Sequence, residues 1–201
     1  MNKQQLIESL KNQGFSEKIL NAFRRVRRED FVPREFKESA YEDIPLPIGL
    51  GQTISQPYTI AFMLNLLELE KPNSKLKILE IGSGSGYVLA LINEMSKDSE
   101  IYGIEIIKSL AEISKKRLKN NKNIKIISGD GSRGLKEYAP YDRILISASS
   151  SKIPEHLYSQ LKATGIIVAS VQDSILQIKK ENDKITKKEF TGFAFVPLVE
   201  D

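Results

Sequence analysis

The sequence predicts an α/β protein with a mostly parallel, doubly wound sheet, an antiparallel hairpin at its C-terminal edge and a helical extension ahead of it. Three observations predict this. From residue 77 onward, short apolar runs alternate with stretches of helical spacing, which is the pattern of a parallel sheet with crossover helices. The first of those runs, KILEIG, leads into SGSG, so that Gly82, Gly84 and Gly86 fall at alternate positions where a backbone turn must approach something closely. The last two runs flank Glu181-Asn182-Asp183, a join short enough only for an antiparallel pair.

In chain order, residues 3–12 and 16–27 have helical periodicity, with Gly14 as the stop and Ser16-Glu17 as the restart. Residues 30–57 carry Pro33, Pro45, Pro47, Gly49, Gly51 and Pro57 and cannot form one helix, because proline removes a donor and clashes with the preceding turn. A loop of that length inside a compact domain is usually functional. Helical spacing returns over 58–69, with Ile60, Met63, Leu64 and Leu67 on one face, and a linker follows over Lys71–Lys75. Strands are predicted at 77–82, 100–105, 124–129, 141–148 and 165–170, with helices at 86–95, 108–120 and 153–162. Two or three further strands complete the chain.

A length of 201 residues supports one domain, 1–201, in which 1–70 supplies helices and the long loop and 71–201 the sheet. No cysteine is present, which excludes disulfides, thiolate zinc sites and a cysteine nucleophile. His156 is the only histidine, so a multi-histidine metal site is excluded and a helix-end role without metal is expected. The polar start and the lack of a long apolar run lead to the expectation of a cytoplasmic protein with no membrane contact. Net charge is only +4, and the basic clusters Arg24–Asp30 and Lys115–Lys122 read as solvated helix faces. No aromatics interleave with the lysines, so no nucleic-acid partner is expected.

Ligands of open parallel sheets bind beyond the strands' carboxyl ends, where the topology switches. The dinucleotide fingerprint GxGxxG places its third glycine one position later than it falls here, and no GK[ST] follows for a P-loop. Glu80 lies two residues before the glycine turn, where a carboxylate would repel a pyrophosphate but not a cation. The second strand ends at Glu105, suited to a ribose diol, and the third in Gly129-Asp130-Gly131, where Asp130 can accept from an adenine amino group. Glu80, Gly82, Ser83, Gly84, Gly86, Glu105, Asp130 and Gly131 therefore suit S-adenosylmethionine, which has an adenosine, an amino-acid end, a sulfonium and no phosphate. The competing reading is that the carboxylates cap helices.

Here the chain resembles the protein-L-isoaspartate O-methyltransferase family. The residues that carry the likeness are FVP (31–33), AYEDIPLPIGLGQTISQPY (40–58), LEIGSGSGY (79–87), GDG (129–131), APYD (139–142) and FVPLV (195–199). The resemblance implies a Rossmann-like S-adenosylmethionine-dependent methyltransferase fold. It also implies transfer of a methyl group to the α-carboxylate of L-isoaspartyl residues in aged peptides and proteins, which repairs damaged chains. The partners are then isoaspartyl peptides and proteins, no metal is needed, and a monomer is expected. A carboxylate nucleophile is already ionised near neutral pH, so no general base is required. Ser55 is the expected donor to the substrate carboxylate, with Thr53 and Gln52 in support; an N-cap on the helix near Pro57 is the competing role for Ser55. Tyr58 and Tyr87 line the cleft or belong to the core. Departures from the family wording at Ser149–Ser151 and Ala163–Ser170 leave open another methyltransferase, acting on a small molecule or tRNA, or a cofactor-binding module with weakened chemistry.

Overall fold

The computed structural model describes residues 1–69, 75–182 and 184–193. The chain begins with α1 (Lys3–Asn12) and α2 (Glu17–Arg25), followed by 3-10 turns at Arg28–Asp30 and Arg34–Phe36. The proline-rich stretch then forms a small hairpin, β1 (Leu46–Gly49) and β2 (Gln52–Ile54), before α3 (Pro57–Leu66). The alternating region follows as β3 (Lys77–Ile81), α4 (Tyr87–Met95), β4 (Glu100–Glu105), α5 (Lys108–Arg117), β5 (Ile124–Ser128), β6 (Tyr141–Ser150), α6 (His156–Ser159) and β7 (Leu161–Val171). A 3-10 turn at Lys136–Tyr138 precedes β6, and β8 (Ser174–Glu181) and β9 (Lys184–Thr191) end the described chain. The predicted Lys71–Lys75 linker, apart from Lys75, and the FVPLV segment lie outside the described residues, as does Asp183 of the final turn.

The main sheet has seven strands in the order β5-β4-β3-β6-β7-β8-β9. Neighbours from β5 to β7 are parallel, and β7–β8 and β8–β9 are antiparallel. The chain moves outward from β3 to β5, then returns to the other side of β3 as β6, so the switch point lies between β3 and β6. Its C-terminal edge strand β9 is largely exposed and carries Lys184, Lys187 and Lys188, charges that discourage pairing with another chain.

Side-chain alternation sorts the sheet into two faces. Ile78, Ile101, Leu145 and Val168 pack against α1 to α5, whereas Leu79, Ile81, Ile144, Ile146 and Ile167 form a second core with Ile153, Leu157 and Leu161. That second face is covered by α6 and the Lys136–Tyr138 turn, where Tyr102 stacks on Tyr138 at 4.7 Å. The predicted helix over 153–162 shrinks to His156–Ser159, and the strand expected at 165–170 extends back to Leu161. Ile153, Leu157 and Leu161 are all buried, but Gln160 ends the helix. Its side chain accepts from the Leu135 N–H (3.0 Å) and donates to the Arg133 carbonyl (2.8 Å), and its own carbonyl accepts from the Tyr141 N–H (2.8 Å).

The basic cluster Arg24–Asp30 is not uniformly solvated. Arg24, Arg25 and Arg27 are exposed, but Arg28 is fully buried. In the second cluster, Lys116, Lys119 and Lys122 are exposed, while Arg117 turns in to lie over the Phe31 ring, 5.7 Å from its centroid.

Candidate active site

β3 delivers Glu80 to the switch point, with its side chain on the face that carries the N-terminal helices. Its register partners are Gly103 in β4 and Leu145 in β6. The next residue of β6 on that face is Ser147, whose hydroxyl donates to Glu80 Oε1 at 2.7 Å across the switch point. Glu80 is 1 % exposed, and Oε2 has no hydrogen-bond partner. Burial pushes its carboxyl up to about 8; the Ser147 hydrogen bond opposes that shift and the nearby Glu105 charge adds to it.

The glycine turn follows directly. The N–H groups of Gly82 and Ser83 both donate to the Ile104 carbonyl, at 2.9 and 3.2 Å, which ties the turn to the end of β4. Gly82, Gly84 and Gly86 all have positive φ, at 79°, 49° and 85°, conformations in which a side chain is strained. Space is restricted as well. A Cβ on Gly82 would lie 3.0 Å from that of Ala148, and one on Gly84 would lie 3.2 Å from Ile48 Cδ1. Gly86 lies off the cleft, where it starts α4 against Ser114 and Leu118. Ser83 is buried, and its Oγ is a second polar atom without a partner.

Glu105 is 5 % exposed. Its two oxygens accept from the N–H groups of Gly84 (2.8 Å) and Ile107 (2.9 Å), so the carboxylate braces the glycine turn and its own strand end. Each oxygen keeps a further lone pair. Asp130, at the end of β5, is exposed and accepts from the N–H (2.7 Å) and hydroxyl (2.8 Å) of Ser132, which together hold its carboxyl below the usual range. Gly131 is a packing requirement, since a Cβ there would come within 2.7 Å of Ile81 Cγ2 and 2.9 Å of Ile104 Cγ2.

The β1–β2 hairpin lies down over this turn. Ile48, Thr53, Ile54 and Ser55 line one cleft together with Glu80, Gly82, Ser83, Gly84 and Ser147, and it encloses about 50 Å³. Ser55 is not the cap of α3. The N-cap position is Gln56, which makes no side-chain cap bond, and Asp43 Oδ1 accepts from the Tyr58 N–H at 2.8 Å instead. The helix end is thus satisfied from a distance, and the Ser55 hydroxyl is not committed to it. Tyr87 lines the cleft and is also core, packed edge-on to Phe23; Tyr58 joins Phe15, Phe62 and Phe193 in an aromatic cluster. His156 Nε2 lies 2.9 Å from the Ser132 carbonyl, in keeping with a helix-end role. No cluster of metal-ligating side chains occurs among the described residues.

Sequence reading missed Ser147, Asp43 and Ile48 as parts of this region. Ser147 was findable only through the register, because its place within reach of Glu80 depends on β6 returning beside β3. Ser149 and Ser150, in the serine-rich run that departs from the family wording, belong to the end of β6, while Ser170 turns inward to donate to the Ile146 carbonyl at 3.3 Å.

A mostly parallel sheet with a glycine turn and a buried carboxylate at its switch point is the frame of a Rossmann-like nucleotide-binding fold, and that carboxylate suits a cationic cofactor such as the one methyltransferases use. The comparisons narrow the class. A sequence model described as protein-L-isoaspartate(D-aspartate) O-methyltransferase matches residues 1–201, and the chain belongs to that family. It is 44 % identical to the protein-L-isoaspartate O-methyltransferase of Dictyoglomus thermophilum, over 98 % of this chain and 90 % of the relative. It is 43 % identical to that of Thermosipho melanesiensis, over 96 % of this chain and all of the relative. A Plasmodium falciparum structure of the same description, in complex with S-adenosyl-L-homocysteine, superposes with a TM-score of 0.85 at 28 % identity and full coverage of both chains.

Proposed function

We propose that the chain transfers a methyl group from S-adenosylmethionine to the α-carboxylate of L-isoaspartyl residues in damaged proteins. The observation that carries this reading is the seating of the β1–β2 hairpin on the glycine turn, which brings Thr53 and Ser55 into one cleft with Glu80. The residues fit the cofactor. The orphaned Glu80 Oε2 and Ser83 Oγ are buried polar atoms that call for a partner, and Gly84 has a positive φ of 49° with Ile48 close above it. Glu80 would take the cationic amino-acid end, Glu105 the ribose diol through its remaining lone pairs, and Asp130 the adenine amino group, with Gly82 and Gly84 shaping the backbone beside them and Gly86 and Gly131 packing behind.

When bound, S-adenosylmethionine supplies an electrophilic methyl on a sulfonium. The chain supplies alignment and a dry site. The Ser55 hydroxyl donates to the incoming carboxylate and orients one oxygen without neutralising it, as a lysine or arginine would. Thr53 stands beside it on β2. Ile48 and Ile54 exclude water from the attacking oxygen, which removes hydration that would otherwise have to be displaced. Orientation of this kind is worth up to roughly 7–11 kcal/mol in favourable cases.

The same reading takes 1–201 as one domain, with 1–70 supplying helices and the hairpin and 71–201 the cofactor sheet, acting as a cytoplasmic monomer. No helix among the described residues is long and apolar enough to cross a membrane. The test uses labelled S-adenosylmethionine and peptide pairs that differ only in aspartyl or isoaspartyl linkage. Base-labile label on the isoaspartyl member alone is expected; equal label on both members, or on neither, overturns the assignment. Ser55→Ala should lower turnover at least tenfold.

A further inference from the structure

We propose that Arg28 is a positioning residue for methyl transfer: its guanidinium clamps both feet of the β1–β2 hairpin and so fixes the place of Ser55. The proposal rests on the reading of Ser55 as the donor to the substrate carboxylate.

Arg28 lies in the Arg28–Asp30 turn and is 0 % exposed. Nη1 donates to the Glu42 carbonyl at 3.2 Å, and Nη2 donates to the carbonyls of Ile44 at 3.0 Å and Ser55 at 3.1 Å. Glu42 and Ile44 precede β1, and Ser55 follows β2. One planar group therefore holds the segment where it enters the hairpin and where it leaves. Few side chains can do this, because the donors must point along fixed directions to carbonyls contributed by distant parts of the loop. Asp43 adds a second tie. Its Oδ1 accepts from the Tyr58 N–H at 2.8 Å and its Oδ2 from Gln56 Nε2 at 3.2 Å. Ser55 is thus fixed through its own carbonyl and through the residues that follow it, and its side chain remains among the residues that line the cleft.

The arrangement is costly for stability alone. Burying a guanidinium without a carboxylate in direct hydrogen-bond contact is unfavourable, and Nε has no partner at all. An apolar side chain of similar volume would fill the space with less penalty. What such a side chain would not provide is the three-carbonyl clamp. Arg28 reaches the cleft through the hairpin's feet: its hydrogen bonds run to the carbonyls of Glu42, Ile44 and Ser55, and not to Glu80, Ser147 or the glycine turn.

The test measures kcat, the peptide KM and the S-adenosylhomocysteine Kd for Arg28→Lys, Arg28→Met and Ser55→Ala, and for Arg28→Lys combined with Ser55→Ala. Each kcat is expressed per titrated cofactor site, so that misfolded protein does not count. Arg28→Met is expected to lose about 100-fold in kcat, the scale of an ångström misplacement. Arg28→Lys is expected to lose less, and the Kd should stay within about threefold in both. In the Ser55→Ala background Arg28→Lys should add almost nothing, because both changes remove the same placement. Should Arg28→Met fail to fold, the lysine variant and the double-mutant comparison carry the test. Full multiplication of the two effects, an unchanged kcat per site, or a parallel loss of kcat and cofactor affinity overturns the proposal. Wild-type turnover by Ser55→Ala defeats the Ser55 reading, whereas a slow Ser55→Ala beside unaffected Arg28 variants defeats the clamp alone.

Discussion

Replacing Glu80 with glutamine should make the cofactor-free protein progressively more stable, relative to wild type, as pH rises. Glu80 moves from an ordinary value of 4.5 to about 8, chiefly through burial. A group whose folded value is raised contributes stability that is fully present below its unfolded value and is lost as pH rises through the folded one. Here the window runs from 4.5 to about 8, and across all of it the loss approaches ~5 kcal/mol. Between pH 6 and pH 8 the slope is about 1.4 kcal/mol per pH unit at its steepest, which gives roughly 2–3 kcal/mol. Glutamine keeps an acceptor for Ser147 at nearly the same volume and removes the titration. Urea denaturation of both proteins at pH 6 and pH 8 reads the quantity directly, because every other titrating group is shared and cancels. In melting temperature the growing gap corresponds to about 5–10 °C for a chain of this length. A stability difference that stays constant within ~0.5 kcal/mol between the two pH values would refute the argument that Glu80 is protonated in the folded, cofactor-free cleft.

Glu80 also makes cofactor binding proton-linked: a cationic ligand favours its ionised form, so binding at pH 7 should release close to one proton and affinity should climb until about pH 8. Calorimetry in buffers of different ionisation enthalpy reads the proton count, and zero release would contradict the assignment. Gly131→Ala forces a Cβ into Ile81 and Ile104, so a loss of about 1–3 kcal/mol in chemical denaturation and weaker cofactor binding are expected. Leu50, at the hairpin tip, is 63 % exposed and has φ 56°; Leu50→Gly should therefore raise stability by about 1 kcal/mol, measured in the same way.

Much of the fold was legible because its signals are local. The strands at 77–82, 100–105 and 124–129 announced themselves through alternating or continuous apolar runs, and the glycine turn through its spacing, and the structure agrees to within a residue. The proline-rich stretch was recognisable as unusual, yet its hairpin was not, since β1 contains Pro47 and pairs only across three positions. The helix at 153–162 misled because a periodicity of four fits any segment that returns one side to the core, and the force that ends α6 comes from Gln160 meeting residues far back in the chain. Arg28 was hidden for a related reason. Four arginines in RRVRRED look alike in sequence, and only three-dimensional closure distinguishes the one that turns inward.

The cleft's polar groups follow from strand parity. Glu80, Glu105 and Ser147 all belong to the face packed by the N-terminal helices and hairpin; Glu80 and Glu105 lie at the carboxyl ends of β3 and β4, and Ser147 lies one residue past the last β3–β6 pair. One residue earlier on each strand, the other face presents Leu79, Ile104 and Ile146, apolar side chains that bury the opposite core. A slip of one residue in any of these strands would exchange the two sets and place a carboxylate in the apolar core. Two glycines outside the turn oppose such a slip. Gly103 leaves space that a Cβ would close against Leu89 and Ser83, and Gly131 lets β5's end pass under Ile81 and Ile104. Register, glycine placement and carboxylate burial thus specify one another. A Cβ at Gly131 should therefore damage cofactor binding through Ile81 and Ile104, and one at Gly103 through Leu89 and the cleft residue Ser83.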